Sequence, residues 1–380
     1  MKIAIPKERR VGETRVAASP DTIKKLVGMG FDVCVEQGAG AMASIPDEQF
    51  KDAGATLAQD FASTVAHAKI VLKVQSPLLK GEGELDEVSL LPQETILIGM
   101  LSPYNNRDQL NQYVKTKITS FSLELVPRIT RAQSMDVLSS QTNLAGYRAV
   151  IEAAQVFNRA FPMMMTAAGT ITPARVLILG AGVAGLQAIA TAKRLGAVVS
   201  AFDVRAAAKE QVESLGATFI FVEASESGEG TGGYAKEMSE DYKKRQSAKI
   251  KEEIAKNDIV ITTALIPGKQ APILITEDMV EAMKPGSVIV DMAIEAGGNC
   301  SLAEVGKIKE KYGVKIIGYP QLATHVPRDS SALYARNILN FLSLLYDKEN
   351  KTLTLEFEDE ILKASVLTHA GKIVHPQFQS

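Results

Sequence analysis

Residues 175–203 read RVLILGAGVAGLQAIATAKRLGAVVSAFD, and few folds accommodate that stretch. An apolar run, Val176–Leu179, enters the pattern G-x-G-x-x-G at Gly180-Ala181-Gly182-Val183-Ala184-Gly185. An alanine-rich helical stretch follows, and a second apolar run, Val198–Phe202, ends in Asp203. Strand, glycine turn, helix and strand in this order make the first unit of a doubly wound dinucleotide-binding sheet. Gly180 permits the tight turn, Gly182 lets backbone N–H groups approach a pyrophosphate, and Gly185 lets the helix pack closely on the sheet. The helix N-terminus offers unpaired donors and a positive dipole end to the phosphates. Asp203 stands about 20 residues beyond the glycines, where a carboxylate accepts from the adenosine ribose hydroxyls and repels a 2′-phosphate. The stretch therefore predicts NAD(H) rather than NADP(H), a preference that Arg205 tempers because arginine accommodates that phosphate.

The rest of the chain repeats the alternation. Strand-like runs at Lys2–Pro6, Phe31–Glu36, Ile70–Val74, Thr95–Met100 and Ile118–Leu123 are interleaved with helical patterns at Asp21–Met29, Pro46–Ala53 and Arg107–Lys115. A second series runs Val176–Leu179, Val198–Phe202, Thr218–Val222, Ile259–Thr263, Val288–Met292 and Lys315–Ile317. Two α/β domains with parallel, Rossmann-like sheets are expected, the second doubly wound, joined by long helices at Ser139–Phe161 and Ala332–Leu345. The tail Leu353–Val374 reads as short strands around Ala370-Gly371 that rejoin the first domain. The expected division is thus 1–138 with 328–380, and 139–327. Within the second domain, 223–249 is a polar, glycine-containing stretch, either a solvated insertion or a functional loop.

The formal net charge of −2 in 380 residues, with no basic stripe, argues against a nucleic-acid partner. Two cysteines, Cys34 and Cys300, support neither a disulfide framework nor a zinc site. The uncharged run Val176–Ala192 is divided by its glycine turn and is marginal in length for a bilayer, so no membrane span is expected.

Between the two series lies PRITRAQSMDVLSSQTNLAGYRAVIEAA, residues 127–154. Together with MMMTAAGT at 163–170, TTALIPGKQAP at 262–272 and MKPGSVIVDMAIEAGGN at 283–299, it closely resembles the NAD(H)-binding component of the proton-translocating NAD(P) transhydrogenases. The resemblance covers essentially the whole chain, and its ending at Ser380 resembles the split form of the α subunit. It implies direct hydride transfer from NADH to NADP+ on a partner β subunit, a further membrane-spanning proton-channel subunit, and a homodimer held peripherally at the inner membrane on its cytoplasmic side. It also implies that Arg128, Gln133, Asp136 and Ser139 surround the nicotinamide. Arg128 and Asp136 suit a carboxamide as donor and acceptor, although Gln133, Asp136 and Ser139 equally describe a capped helix start with an i, i+3 polar pattern. The implied cofactor set is Gly180, Ala181, Gly182, Val183, Gly185, Asp203, Val204, Arg205, Gly233, Tyr234, Ala264, Leu265 and Asn143, with 228–234 resembling a loop that closes over nucleotide.

Alanine dehydrogenases share this architecture. Arg15 in GETRVA and Lys73 in VLKVQ match that family's substrate-binding arginine and lysine. Its histidine is replaced by Met or Leu in LIGMLSPYNN, and its aspartate by Glu295. His67, expected on a surface helix, and His325, His369 and His375 fall elsewhere, leaving no proton donor for 2-oxo acid chemistry. Arg15 and Lys73 therefore read as inherited architecture, suited to a structural ion pair. A non-enzymatic NAD(H) sensor would account for the glycine fingerprint but not for RAQSMDVLSSQ.

Overall fold

The computed structural model describes residues 1–222, 238–266, 268–347 and 349–379. The chain divides into two compact units, Met1–Gln141 with Thr324–Ser380, and Thr142–Ala323. These breaks lie a few residues from the expected ones, and the helix Val137–Val156 runs through the first of them.

In the first unit eight strands form one sheet. Its order from one edge is Thr56–Ala58, Asp32–Glu36, Lys2–Ile5, Ile70–Gln75, Ile96–Met100, Thr119–Ser122, Val366–His369 and Lys372–Ile373. The first six are parallel, and the two tail strands add antiparallel at the far edge. Successive side chains alternate between faces. Ile3, Ile5, Ile70, Leu72, Ile96 and Ile98 pack on one side, whereas Ala4, Val71 and Leu97 pack on the other. Burial on both faces is why these strands read as unbroken apolar runs. The first helix, Pro20–Gly28, starts where its sequence directs. Ser19 accepts from the Thr22 N–H, the Thr22 hydroxyl accepts from the Ser19 N–H, and Pro20 occupies the first turn.

The second unit's sheet runs Thr218–Ile220, Val198–Phe202, Arg175–Leu179, Ile259–Thr262, Val288–Asp291, Val314–Ile317 and Ile308–Lys311. The strand order reverses between Arg175–Leu179 and Ile259–Thr262, the switch point at whose carboxyl ends ligands bind in such sheets. Val176 and Ile178 face one core with Ile259, Ile261, Val288 and Val290. Leu177 and Leu179 face the other with Val260, Ile289 and Ile316.

Several expectations are corrected. Residues 240–249 belong to the helix Glu240–Ile254, not to a loop; Ser239 caps its Tyr242 N–H, and Tyr242, Gln246 and Ile250 bury one face. The connecting helix ends at Val156 rather than Phe161, where Phe157 and Phe161 meet edge to face at 5.9 Å. The other long helix is Pro327–Leu342, one proline-started unit that begins earlier than the apolar pattern implied. The second sheet gains the antiparallel strand Ile308–Lys311, too charged to read as a strand, because it pairs along an exposed edge. The tail contains a helix, Glu360–Ser365, capped by Asp359, and His67 sits in a turn at φ 60° rather than on a helix.

Candidate functional site

The glycine turn occupies the switch point of the second sheet. Gly180 has φ 104°, and a Cβ there would lie 2.5 Å from the Thr263 Oγ1. A Cβ on Gly185 would fall 1.8 Å from the Gly180 carbonyl oxygen, so the helix Val183–Arg194 approaches its strand only because that atom is missing. Gly146 serves a second contact of this kind, since its Cβ would lie 2.1 Å from the Ala184 carbonyl oxygen. Gly182 differs from all of these. It is the N-cap, no side chain among the described residues caps the helix start, and a Cβ there would meet nothing within 4 Å. The turn thus presents open space at a helix N-terminus, the arrangement that receives phosphate.

Two side chains hold this turn. Asp203 accepts from the Ala181 N–H at 2.7 Å, and the Thr263 hydroxyl donates to the Gly180 carbonyl at 3.1 Å. Asp203 is also gripped by Arg205, whose backbone N–H, Nε and Nη2 donate to it at 2.8, 2.8 and 2.7 Å. Val204 and Val183 are half-buried beside these groups, Ala181 is buried, and Leu265 is exposed. Asn143 is exposed on its helix. Gly233 and Tyr234, and with them the segment 223–237, lie outside the described residues.

Sequence reasoning gave no role to Asp291 and Asn299, which organise the neighbouring strand ends. Asp291, fully buried, accepts from the backbone N–H groups of Ala293, Asn299 and Cys300 and from the Thr262 hydroxyl. Burial pushes its carboxyl above the usual range against those hydrogen bonds, and burial also pushes the Cys300 thiol up to about 11. The Asn299 amide bonds Ala264 and the Pro272 carbonyl. An acid closing the apolar strand Val288–Asp291, as Asp203 follows Val198–Phe202, was the signal available.

In the first unit, Asp136 caps the helix Val137–Val156. Its carboxylate accepts from the Ser139 N–H at 2.8 Å and from the Ser139 hydroxyl at 2.5 Å. Arg128 Nε lies 4.0 Å from that carboxylate, and Gln133 is exposed on the short helix Thr130–Met135. The capped helix start and the grouping of Arg128, Asp136 and Ser139 are therefore the same structure, with Gln133 on its exposed side.

Arg15 and Lys73 are buried in ion pairs. Arg15 forks onto Glu13 at 2.7 and 2.6 Å and donates to Gln141 at 2.8 Å. Lys73 lies 3.2 Å from Glu8 and 3.1 Å from Glu87, and Arg9 bridges Glu87 and Glu36. Burial raises the Glu8 carboxyl; for Glu13 burial is outweighed by the Arg15 guanidinium, and the net shift is downward. Glu295 is exposed and accepts from Gln321.

The family described as alanine dehydrogenase/PNT matches the chain throughout, its N-terminal domain over residues 4–145 and its C-terminal domain over 149–376. A Rhodospirillum rubrum protein, named as the first portion of an NAD(P) transhydrogenase subunit alpha, is 59% identical over 378 residues, 99% of this chain and 98% of that protein. The crystal structure of a transhydrogenase from Sinorhizobium meliloti superposes with a TM-score of 0.89 at 49% identity, covering 98% of this chain and all of that one. An L-alanine dehydrogenase superposes at 0.84 with 26% identity, over 100% of this chain and 98% of that one. Among the described residues no helix is long and apolar enough to cross a membrane. The chain belongs to the alanine dehydrogenase/PNT family and, within it, to the transhydrogenase alpha subunits.

Proposed function

We propose that this chain is the NAD(H)-binding component of a proton-translocating transhydrogenase, which presents NADH for direct hydride transfer to NADP+ on a partner β subunit. The observation that carries the reading is the Cβ position of Gly182, open among the described residues at a helix start that none of their side chains caps, in a turn held by Asp203 and Thr263. Gly182 and the first turn of Val183–Arg194 would take the pyrophosphate, Asp203 the adenosine ribose, and Ala264 and Leu265 the neighbouring wall. Arg128, Asp136 and Ser139 would orient the carboxamide, and Gln133 would face the second nucleotide. When bound, the nicotinamides supply the hydride donor and acceptor. Because direct transfer releases no proton, the residues need only orient the rings and exclude water, and no general base is required. Coupling to proton movement would lie in a separate membrane-spanning subunit.

A homodimer is included in this reading. The hairpin Met164–Thr166 with Gly169–Ile171 exposes Met163, Met164, Met165 and Ile171, and a two-stranded hairpin with so little of its own core is marginal alone. Alanine dehydrogenation is disfavoured because Arg15 and Lys73 are both engaged by buried carboxylates.

The test is to mix the chain with a purified NADP(H)-binding partner domain and follow NADH-dependent reduction of an NADP+ analogue. Transfer is expected in the mixture. Its absence, together with alanine-dependent NAD+ reduction by the chain alone, overturns the proposal.

A further inference from the structure

An ionised carboxylate offers about four lone-pair directions to donors. All four on Asp203 are used inside the chain. Two are taken by backbone, the Ala181 N–H on Oδ2 at 2.7 Å and the Arg205 N–H on Oδ1 at 2.8 Å. These bonds hold the carboxylate in place against the glycine turn. The other two are taken by the Arg205 guanidinium, Nε on Oδ1 at 2.8 Å and Nη2 on Oδ2 at 2.7 Å. A guanidinium edge matches a carboxylate because it carries two parallel donors. The vicinal hydroxyls of a ribose are a second paired donor of the same kind. Both cannot hold the same two lone pairs.

We propose that Arg205 is a built-in competitor for the ribose seat, its guanidinium holding Asp203 until a ribose diol displaces it. The inference rests on Asp203 being the ribose carboxylate, as the proposed function has it. It gives Arg205 a role different from a contact for a 2′-phosphate. With the guanidinium seated Asp203 is only 6% exposed; removing the guanidinium frees two acceptor positions, which a diol then fills by displacing water rather than an ion-pair partner. The arginine also neutralises Asp203 while it is seated, so its removal sharpens the repulsion of a 2′-phosphate.

The experiment measures binding to the intact chain of NADH by its fluorescence, and of ADP and 2′-deoxy-ADP by competition, in Arg205→Gln, Arg205→Lys and Asp203→Asn. Arg205→Gln should bind NADH and ADP roughly fivefold more tightly, the factor an ordinary part-exposed ion pair is worth, with little gain for 2′-deoxy-ADP. Arg205→Lys keeps the charge without the paired donors and should gain less. It also carries the test if the glutamine variant does not fold. Unchanged or weaker NADH binding in the Arg205 variants, with Asp203→Asn weakened, overturns the competitor and leaves the ribose role standing. An equal gain for ADP and 2′-deoxy-ADP overturns it as well. NADH binding unaltered in Asp203→Asn removes the ribose role and the inference together.

Discussion

The side chain of Asn299 brackets the backbone of Ala264, accepting from its N–H at 3.1 Å and donating to its carbonyl at 3.0 Å. One amide side chain thereby does for the end of Ile259–Thr262 what an adjacent strand would do, and its remaining donor reaches the Pro272 carbonyl at 2.8 Å. Asn299→Leu keeps the size and removes these three side-chain bonds while leaving its backbone bonds in place. Stability should fall by about 3 kcal/mol, since three backbone groups lose their partner. Urea unfolding measures this; a loss below about 1 kcal/mol would mean that water replaces the amide.

Gly182 and Gly185 should respond differently to the same methyl group. Gly185→Ala drives a Cβ into the Gly180 carbonyl and should cost about 1–3 kcal/mol of stability as well as NADH binding. Gly182→Ala meets no atom of the described residues within 4 Å, so thermal unfolding should be nearly unchanged while NADH affinity drops. Retained affinity in Gly182→Ala would move the phosphate site away from this turn.

Gln133 is exposed on a short helix beside the Asp136 cap. Gln133→Asn shortens the side chain by one methylene without touching that cap. In the mixture with the partner domain, hydride transfer should slow at least about tenfold while NADH affinity changes little. Equal losses in rate and affinity would reject a role at the transfer face.

Lys73 is the cation between Glu8 and Glu87 in the interior of the first unit. Lys73→Met leaves two buried carboxylates facing each other and should destabilise the protein by about 3–5 kcal/mol. Glu8→Gln in the same background should recover some of the loss, because it removes one of the two charges. No recovery in chemical unfolding would show that Glu8 is already neutral in the folded chain.

His375 is buried in the tail, its Nε2 3.1 Å from the Ala364 carbonyl and its Nδ1 3.3 Å from the Gln377 N–H. The ring is therefore neutral, with its proton on Nε2. Burial lowers its pKa below the ordinary 6.5, against the opposing effect of the Ala364 bond. A basic group with a depressed folded pKa contributes stability that is present above its ordinary pKa and lost as pH falls through the folded one. The melting temperature should thus begin to drop as pH falls below about 7.5 and keep dropping below 6.5, by more in the native chain than in His375→Gln. Parallel pH curves would exclude His375 as the source.

Much of the fold was legible because parallel strands buried on both faces must be apolar throughout. Val198–Phe202 and Arg107–Lys115 form where their patterns place them. Ile308–Lys311, reading IKEK, was not legible because an edge strand needs only backbone partners and carries charged side chains toward solvent. The helix Glu240–Ile254 was hidden for a related reason: a polar face with one buried stripe of Tyr242, Gln246 and Ile250 resembles a charged loop. At the site, Gly180, Gly182, Gly185 and Asp203 could be named at once because a short local motif contains them. Asp291 and Asn299 were passed over although an acid closes their strand too, because the bonds that give them a role here, to Thr262, Ala264 and Pro272, reach another strand and distant turns.

By itself the sequence determined the strand–turn–helix unit, the glycines that only that turn requires, and the acid that closes it, since all depend on local backbone sterics and near neighbours. It also marked Arg15 and Lys73 as suited to ion pairs in the first domain without saying which carboxylate each would meet. Only the tertiary structure paired Lys73 with Glu8 and Glu87, and buried Arg15 on its near neighbour Glu13. It also seated Arg205 on Asp203. Charges taken out of water must find partners: Lys73 finds Glu8 and Glu87 only because the fold makes their segments neighbours, whereas Arg15 and Arg205 each take the acid two residues before them.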